Sequence, residues 1–217
     1  MIITIDGPAA SGKSTIAKLV AEKLNFLHFN SGSLFRGITA YLFYSEYNFN
    51  LLNKATKFND INLEIKYINN CQHVFVNGKD YYNNLRENQI SILTPKVSEN
   101  LDLRNIIDNC QKSFCSNNNV VVEGRDAGSY VFPNAEVKIY LDCDIKVRAK
   151  RRFDQIKDKN TNITLEEIEK QIHERDEFDK NKTIAPFKIP KDAIIVDSST
   201  LNIDETIDEI FKHIKIQ

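Results

Sequence analysis

No C-x-x-C pair occurs among the four cysteines Cys71, Cys110, Cys115 and Cys143, and the four histidines complete no zinc-ligand spacing. Neither a structural zinc site nor a disulfide framework is therefore expected, and reduced thiols in a cytosolic protein are. There is no excess of either charge: 29 Lys and Arg face 30 Asp and Glu, for a formal net charge of −1. A chain that binds nucleic acid or an anionic membrane surface in bulk normally carries a basic surplus, so neither partner is expected. A small phosphorylated ligand needs only a local cluster of arginines and stays open. No apolar run approaches the roughly 20 residues required to span a bilayer. No signal-peptide pattern is seen, because a strand starts at Met1, and the expected location is the cytoplasm. There are no internal repeats and no low-complexity linker. The 217 residues suit one α/β domain with insertions, long enough to bury a core.

What is present is an alternation of short apolar strands with amphipathic helices. Residues 2–5, 120–122, 137–141 and 193–196 are apolar, mostly β-branched runs that read as buried strands. Helical spacing is expected over 14–24, 34–44, 97–114, 145–156, 164–179 and 203–214. Thr164 followed by Glu167 is a capping-box pattern. Residues 61–68 and 73–76 alternate apolar with polar, and Asn77-Gly78 is a hairpin signal leading into 79–82. The alternation implies an α/β doubly wound parallel sheet, and residues 61–82 break it as a small antiparallel insertion. The Asn/Lys-rich stretch 49–59 has no assignable pattern.

The first strand runs into Gly7-Pro8-Ala9-Ala10-Ser11-Gly12-Lys13-Ser14, a phosphate-binding loop. Gly7 and Gly12 allow backbone angles that turn successive N–H groups toward a phosphate, and the following helix adds its positive end. Lys13 is expected to reach the β- and γ-phosphates as a mobile charge, and Ser14 to offer a hydroxyl to Mg²⁺. A GTPase would carry Asn-Lys-x-Asp, which is absent: Asn77-Gly78-Lys79-Asp80 is out of order and Asn181-Lys182-Thr183-Ile184 lacks the Asp. A mechanical ATPase would have more chain and a longer strand ending in paired acids. Instead, Arg36, Arg104, Arg125, Arg148, Arg151, Arg152 and Arg175 are scattered at element ends. Phosphoryl transfer between two phosphorylated ligands needs such charge, because its transition state spreads negative charge over the transferred group.

Six ordered segments carry a family resemblance: Ile3-Thr4-Ile5-Asp6-Gly7-Pro8-Ala9; Ser31-Gly32-Ser33-Leu34-Phe35-Arg36; Glu123-Gly124-Arg125-Asp126-Ala127-Gly128; Val131-Phe132-Pro133-Asn134-Ala135; Glu174-Arg175-Asp176 with Asp179; and Asp197-Ser198-Ser199-Thr200-Leu201. Together they resemble the bacterial cytidylate kinases, of the nucleoside monophosphate kinases, over nearly the whole chain. The resemblance implies a monomer that catalyses ATP + (d)CMP ⇌ ADP + (d)CDP with Mg²⁺. It also implies a core (1–29, 116–147 and 184–217), a monophosphate-binding insertion (30–115) and a short helical lid (148–183).

On that resemblance ATP is held by Gly7, Pro8, Ala9, Ala10, Ser11, Gly12, Lys13, Ser14 and Thr15, with Arg151 and Ser199, the latter near adenine. Ser31, Arg36, Ser98, Arg104, Arg125, Asp126, Asp179 and Lys182 are expected around CMP: Arg36 and Arg125 on its phosphate, Asp126 on the cytosine amino group, Asp179 on the ribose hydroxyls. Lys13, Arg125, Arg148, Arg152 and Arg175 are the expected catalytic cations. Arg148 and Arg152 share a helix face at i, i+4, and Glu123 joins the Mg²⁺ shell through water. Ser31 and Ser199 also have plain helix-capping readings. The chain departs from the family at Asn30 (Asp in the family), Phe35 (Tyr) and Lys182 (Arg). Lys cannot make the planar two-donor contact with a pyrimidine, which shifts base reading toward Asp126 and Arg104. Two alternatives stand beside this reading: another small-acceptor kinase (UMP/CMP, AMP or dephospho-coenzyme A), and a regulatory module with no acceptor.

Overall fold

The computed structural model describes residues 1–157 and 163–214. Residues 158–162 of the expected lid lie outside them. The chain divides into two compact units, residues 1–28 with 120–217, and residues 29–119.

The first unit is built on a parallel sheet. Strands β1 (Ile2–Asp6), β6 (Val120–Gly124), β7 (Val137–Asp142) and β8 (Ile194–Asp197) take the order β6-β1-β7-β8, with β2 (Leu27–Asn30) beyond β6. Ile3 pairs with Val121 on one side of β1, and Ile5 with Ile139 on the other. Both faces of β1 are covered, so consecutive residues from Ile3 to Asp6 are all buried, Thr4 and Asp6 included. Helices α1 (Lys13–Leu24) and α7 (Ile203–Phe211) bury Ile16, Val20, Leu24, Ile207 and Ile210 against Ile3, Ile5, Val121 and Ile139. α1 ends at Asn25, whose left-handed backbone (φ 55°) lets its N–H reach the carbonyls of Ala21 and Glu22.

Helices α5 (Ile145–Ile156) and α6 (Leu165–Asn181) pack on each other through Ala149, Ile168 and Ile172. The capping box opening α6 is present, with Thr164 and Glu167 each bonding the other's backbone N–H. α7 opens with a second one, Asn202 with Glu205.

The second unit holds an antiparallel sheet, β3 (Leu63–Ile68), β4 (Cys71–Val76) and β5 (Lys79–Asp80), with helices α2 (Ser31–Tyr44), α3 (Asn88–Ser98) and α4 (Leu101–Ser116). Both hairpin turns use paired positive-φ residues, Asn69-Asn70 (51° and 60°) and Asn77-Gly78 (49° and 78°), the geometry that matches strand twist. α2 presses on β4 at Gly37, where a Cβ would lie 2.4 Å from Val74 Cγ1.

Two local expectations change. Residues 97–114 are not one helix: α3 closes at Ser98, and Asn100 starts α4 by accepting from the Leu103 N–H. Nor does Ser31 cap α2. Asn30 does, accepting from the Ser33 N–H, while the Ser31 hydroxyl donates to Gln111.

Candidate active site

In the first unit the phosphate loop leaves β1 at Asp6 and enters α1 at Gly12. Gly7 sits so close to β7 that a Cβ would meet the Leu141 carbonyl oxygen at 2.3 Å. Ala10 takes φ 60° and Gly12 φ 91°, a left-handed backbone that a Cβ resists. No side chain caps α1 and its first turn holds no acid. An uncapped helix start, with amides and dipole both outward, is an anion site. Ala10, Ser11, Gly12, Lys13, Ser14 and Thr15 line a cleft of 220 Å³ together with Arg151, Arg152 and Gln155.

Lys13 is half-buried. Its ammonium donates to the Pro8 carbonyl at 2.6 Å and lies 3.5 Å from the Ser11 hydroxyl. Burial, and then the nearby Arg125, push its pKa down to about 7. The Ser14 hydroxyl donates to Glu123 Oε2 at 2.5 Å, and His28 Nε2 lies 3.1 Å from Glu123 Oε1. Burial alone would raise the Glu123 carboxyl. His28, Ser14 and Lys13 outweigh it and hold the group below its ordinary range. The site thus pairs one hydroxyl with one ionised carboxylate. Among the described residues no group of three or more His, Cys, Asp or Glu could hold a metal. This donor set fits Mg²⁺, which keeps several waters and takes phosphate oxygens rather than an all-protein cage.

At the end of the neighbouring strand β6, Arg125 Nη1 donates to Asp179 Oδ2 at 2.7 Å, and Arg175 Nε donates to the same oxygen at 3.0 Å. The i, i+4 bridge between Arg175 and Asp179 is present, but Arg125 turns it into a three-residue array. Lys182 lies 3.6 Å from the other oxygen, Oδ1, which is buried without a hydrogen-bond partner. Burial would raise the Asp179 carboxyl; Arg125, Arg175 and Lys182 together hold it below its ordinary range. Asp126 is buried one residue beyond Arg125. The loop that carries both is held by Asp6, whose two oxygens accept from the Ala127 N–H at 2.9 Å and the Gly128 N–H at 2.7 Å.

The expected lid cations separate. Arg151 and Arg152 are on the cleft wall. Arg151 is docked on the Ser198 carbonyl at 2.7 Å, and Arg152 is exposed. Arg148, one turn before Arg152, is not on that wall. It is buried and donates to Cys143 O, Ala9 O and Asp176 Oδ2. The Ser199 hydroxyl joins Asp197 and accepts from the Asp144 N–H; Asn202, not Ser199, caps α7.

In the second unit Arg36 is half-buried on α2. Arg104 is 2% exposed, stacks its guanidinium 5.0 Å from the Phe35 ring and donates to the Ser98 carbonyl. The Ser98 hydroxyl donates to Pro95 O. Sequence reasoning gave no role to Asp6, His28, Gln155 or Asp176. Asp6 and Asp176 stood inside quoted motifs, but the backbone amides they hold, of Ala127 and Ala9, lie 121 and 167 residues away in the chain.

The family model described as cytidylate kinase matches residues 3–216. The chain is similar to a cytidylate kinase of Thermotoga sp. (strain RQ2), 36% identical over 213 residues, with 98% of this chain and 96% of that protein covered. It is also similar to a cytidylate kinase of Fusobacterium nucleatum subsp. nucleatum, 38% identical over 216 residues, with 99% and 97% covered. A solved shikimate kinase from Bacteroides thetaiotaomicron shares the fold alone, at TM-score 0.51 and 14% identity over 98% of this chain and 97% of that one. With a parallel sheet, a phosphate loop and an arginine–carboxylate array in one unit, and that match along its length, this chain belongs to the cytidylate kinase family.

Proposed function

We infer that this chain transfers the γ-phosphoryl group of ATP to CMP or dCMP, giving ADP and CDP or dCDP. The observation that carries the reading is the Arg125–Asp179–Arg175 array at the end of β6, one strand from the phosphate loop. It supplies guanidinium forks for an acceptor phosphate, and the buried Oδ1 of Asp179, which accepts no hydrogen bond and has only the Lys182 ammonium 3.6 Å away, is suited to accept from a ribose hydroxyl.

Lys13 and the α1 amides hold the donor phosphates, and Arg151 and Arg152 neutralise charge spreading over the transferred group. Ser14 would ligate Mg²⁺ and Glu123 would hold its water. Held there, Mg²⁺ would supply positive charge to offset that of the phosphates. No general base is required, since the attacking acceptor oxygen is already anionic; catalysis is positioning and charge stabilisation. Arg36 and Arg125 are assigned to the acceptor phosphate, Asp126 to the cytosine amino group, and Ser31, Ser98, Arg104 and Lys182 to the rest of the CMP site. Residues 30–115 are read as the monophosphate-binding insertion and 148–183 as the lid. A monomer in the cytoplasm completes the proposal, in keeping with four free thiols.

The test supplies Mg-ATP with CMP, dCMP, UMP, AMP and dephospho-coenzyme A in turn and measures ADP. CMP or dCMP should be preferred by kcat/KM. Equal use of UMP or AMP would refute the substrate, and no stimulation by any acceptor would refute the kinase. Asp126→Ala should raise the KM for CMP at least tenfold, the scale of a lost hydrogen bond to a charged group, with little change in the KM for ATP.

A further inference from the structure

The phosphate loop is fastened by side chains that no step above uses. Ala9, its third residue, has both of its backbone hydrogen-bonding groups occupied. Its N–H donates to Asp176 Oδ1 at 2.9 Å, and its carbonyl accepts from Arg148 Nη1 at 2.9 Å. The two clamping side chains pair with each other, Arg148 Nη1 to Asp176 Oδ2 at 2.6 Å, each only 8% exposed. Arg148 is braced further by donating from Nε to the Cys143 carbonyl at 2.9 Å. Ala9 and Ala10 also pack against Ala149, Ile168 and Ile172, the apolar seam of α5 and α6. A closed ring of three charge-assisted bonds therefore joins one residue of the donor loop to both helices.

Asp176 follows Arg175 directly and precedes Asp179 by three residues on α6. The stretch of helix that holds the donor loop thus also holds Arg125 through Asp179. We propose that Asp176 and Arg148 are positioning residues that latch the Ala9 backbone, setting the phosphate loop for ATP and tying it to the helix of the acceptor-side array. Arg148 then acts on the loop rather than on the nucleotide. A buried pair is weak support for stability by itself, since a matched apolar pair often does as well. What recommends the pair here is its grip on a loop whose backbone must present N–H groups in one fixed arrangement.

Only the catalytic arm of the test rests on the kinase reading. Mg-ATP affinity is measured by titration calorimetry without acceptor, for wild type, Asp176→Asn, Arg148→Lys and the double variant, each checked for fold by circular dichroism. In Asp176→Asn one oxygen becomes an NH₂ that can face the Arg148 donor. Each single variant should weaken ATP binding by about tenfold or more. The double variant should be no weaker than the worse single one, because both cut one ring. In turnover, KM for ATP should rise by the same factor while KM for CMP stays within about twofold. Unchanged ATP affinity in folded variants would overturn the latch, as would fully additive losses. So would a loss seen only in melting temperature or active fraction. If Asp176→Asn does not fold, Arg148→Lys alone decides by its ATP affinity. Normal ATP binding by the wild type with no acceptor phosphorylated would refute the kinase reading and leave the binding arm intact.

Discussion

Lys13 shows how much one residue of a ligand site works against the protein that carries it. Its hydrogen-bond partners, the Pro8 carbonyl and the Ser11 hydroxyl, carry no charge, and its pKa is held down to about 7. An ammonium in that condition gains most from bound phosphates. At pH 8 ATP binding should therefore take up a proton. Calorimetry in two buffers of different ionisation enthalpy measures it, and Lys13→Met should abolish the uptake along with transfer. The sign for stability runs the other way. Between pH 7 and 10.5 the unfolded chain binds a proton that the folded Lys13 does not, so stability rises with pH across that window. At pH 7 Lys13→Met should consequently raise the melting temperature of the protein without nucleotide, a trade of stability against function. The lysine and its loop were legible in the sequence, because eight consecutive residues specify them. Arg148 was legible as a cation on the right helix, but not in its partners. The sequence shows its i, i+4 relation to Arg152. It does not show Ala9 and Asp176, which lie 139 and 28 residues away in the chain and meet it only after folding.

The elements of the second unit were read less well, and the reason is tertiary. From the sequence, residues 83–96 receive no element and one helical pattern is carried across 97–114. Pro95 lies inside α3, close to its C-terminal end, where one lost N–H costs less than apolar packing at Ile90 and Val97 returns. The true boundary is Asn100, fully buried. It caps α4 at Leu103 and also donates to the carbonyls of Asn53 and Thr56, at 2.6 and 2.9 Å. Asp102 adds a bond to the Phe58 N–H at 2.8 Å. The patternless stretch 49–59 is thus held by the start of α4 rather than by periodicity of its own. Asn100→Ala should lose a cap and the two bonds to the Asn53 and Thr56 carbonyls, costing about 1–3 kcal/mol. A chemical-denaturation midpoint measures the loss; a cost under about 0.5 kcal/mol, the range of an ordinary surface change, would show that the segment is held by other contacts.

Across the whole molecule the ionisable groups of the site set the response to pH. Asp6 is fully buried, and its carboxyl is raised from 3.8 to about 7, chiefly by burial, against the pull of the Gly128 and Ala127 amides. Folded protein therefore binds more protons than unfolded chain between those values. Asp6 lends stability that is complete below pH 3.8 and is lost as pH climbs to about 7. Measured as wild type minus Asp6→Asn, that difference should decline over the window. A flat difference would mean that the carboxylate is fully stabilised by its two amides. The sequence by itself determined the strand–loop–helix of the phosphate site, the α/β class and the family, because those rest on short-range residue order: glycine spacing, apolar runs and caps. Tertiary structure alone decided which charges meet. Asp179, already beside Arg175 by its i, i+4 spacing, gains Arg125, Asp6 grips the loop after β6, and Arg148 turns away from the cleft to Ala9 and Asp176. A buried charge takes whichever counter-charge the packing brings within reach, and spacing along the chain does not encode that choice.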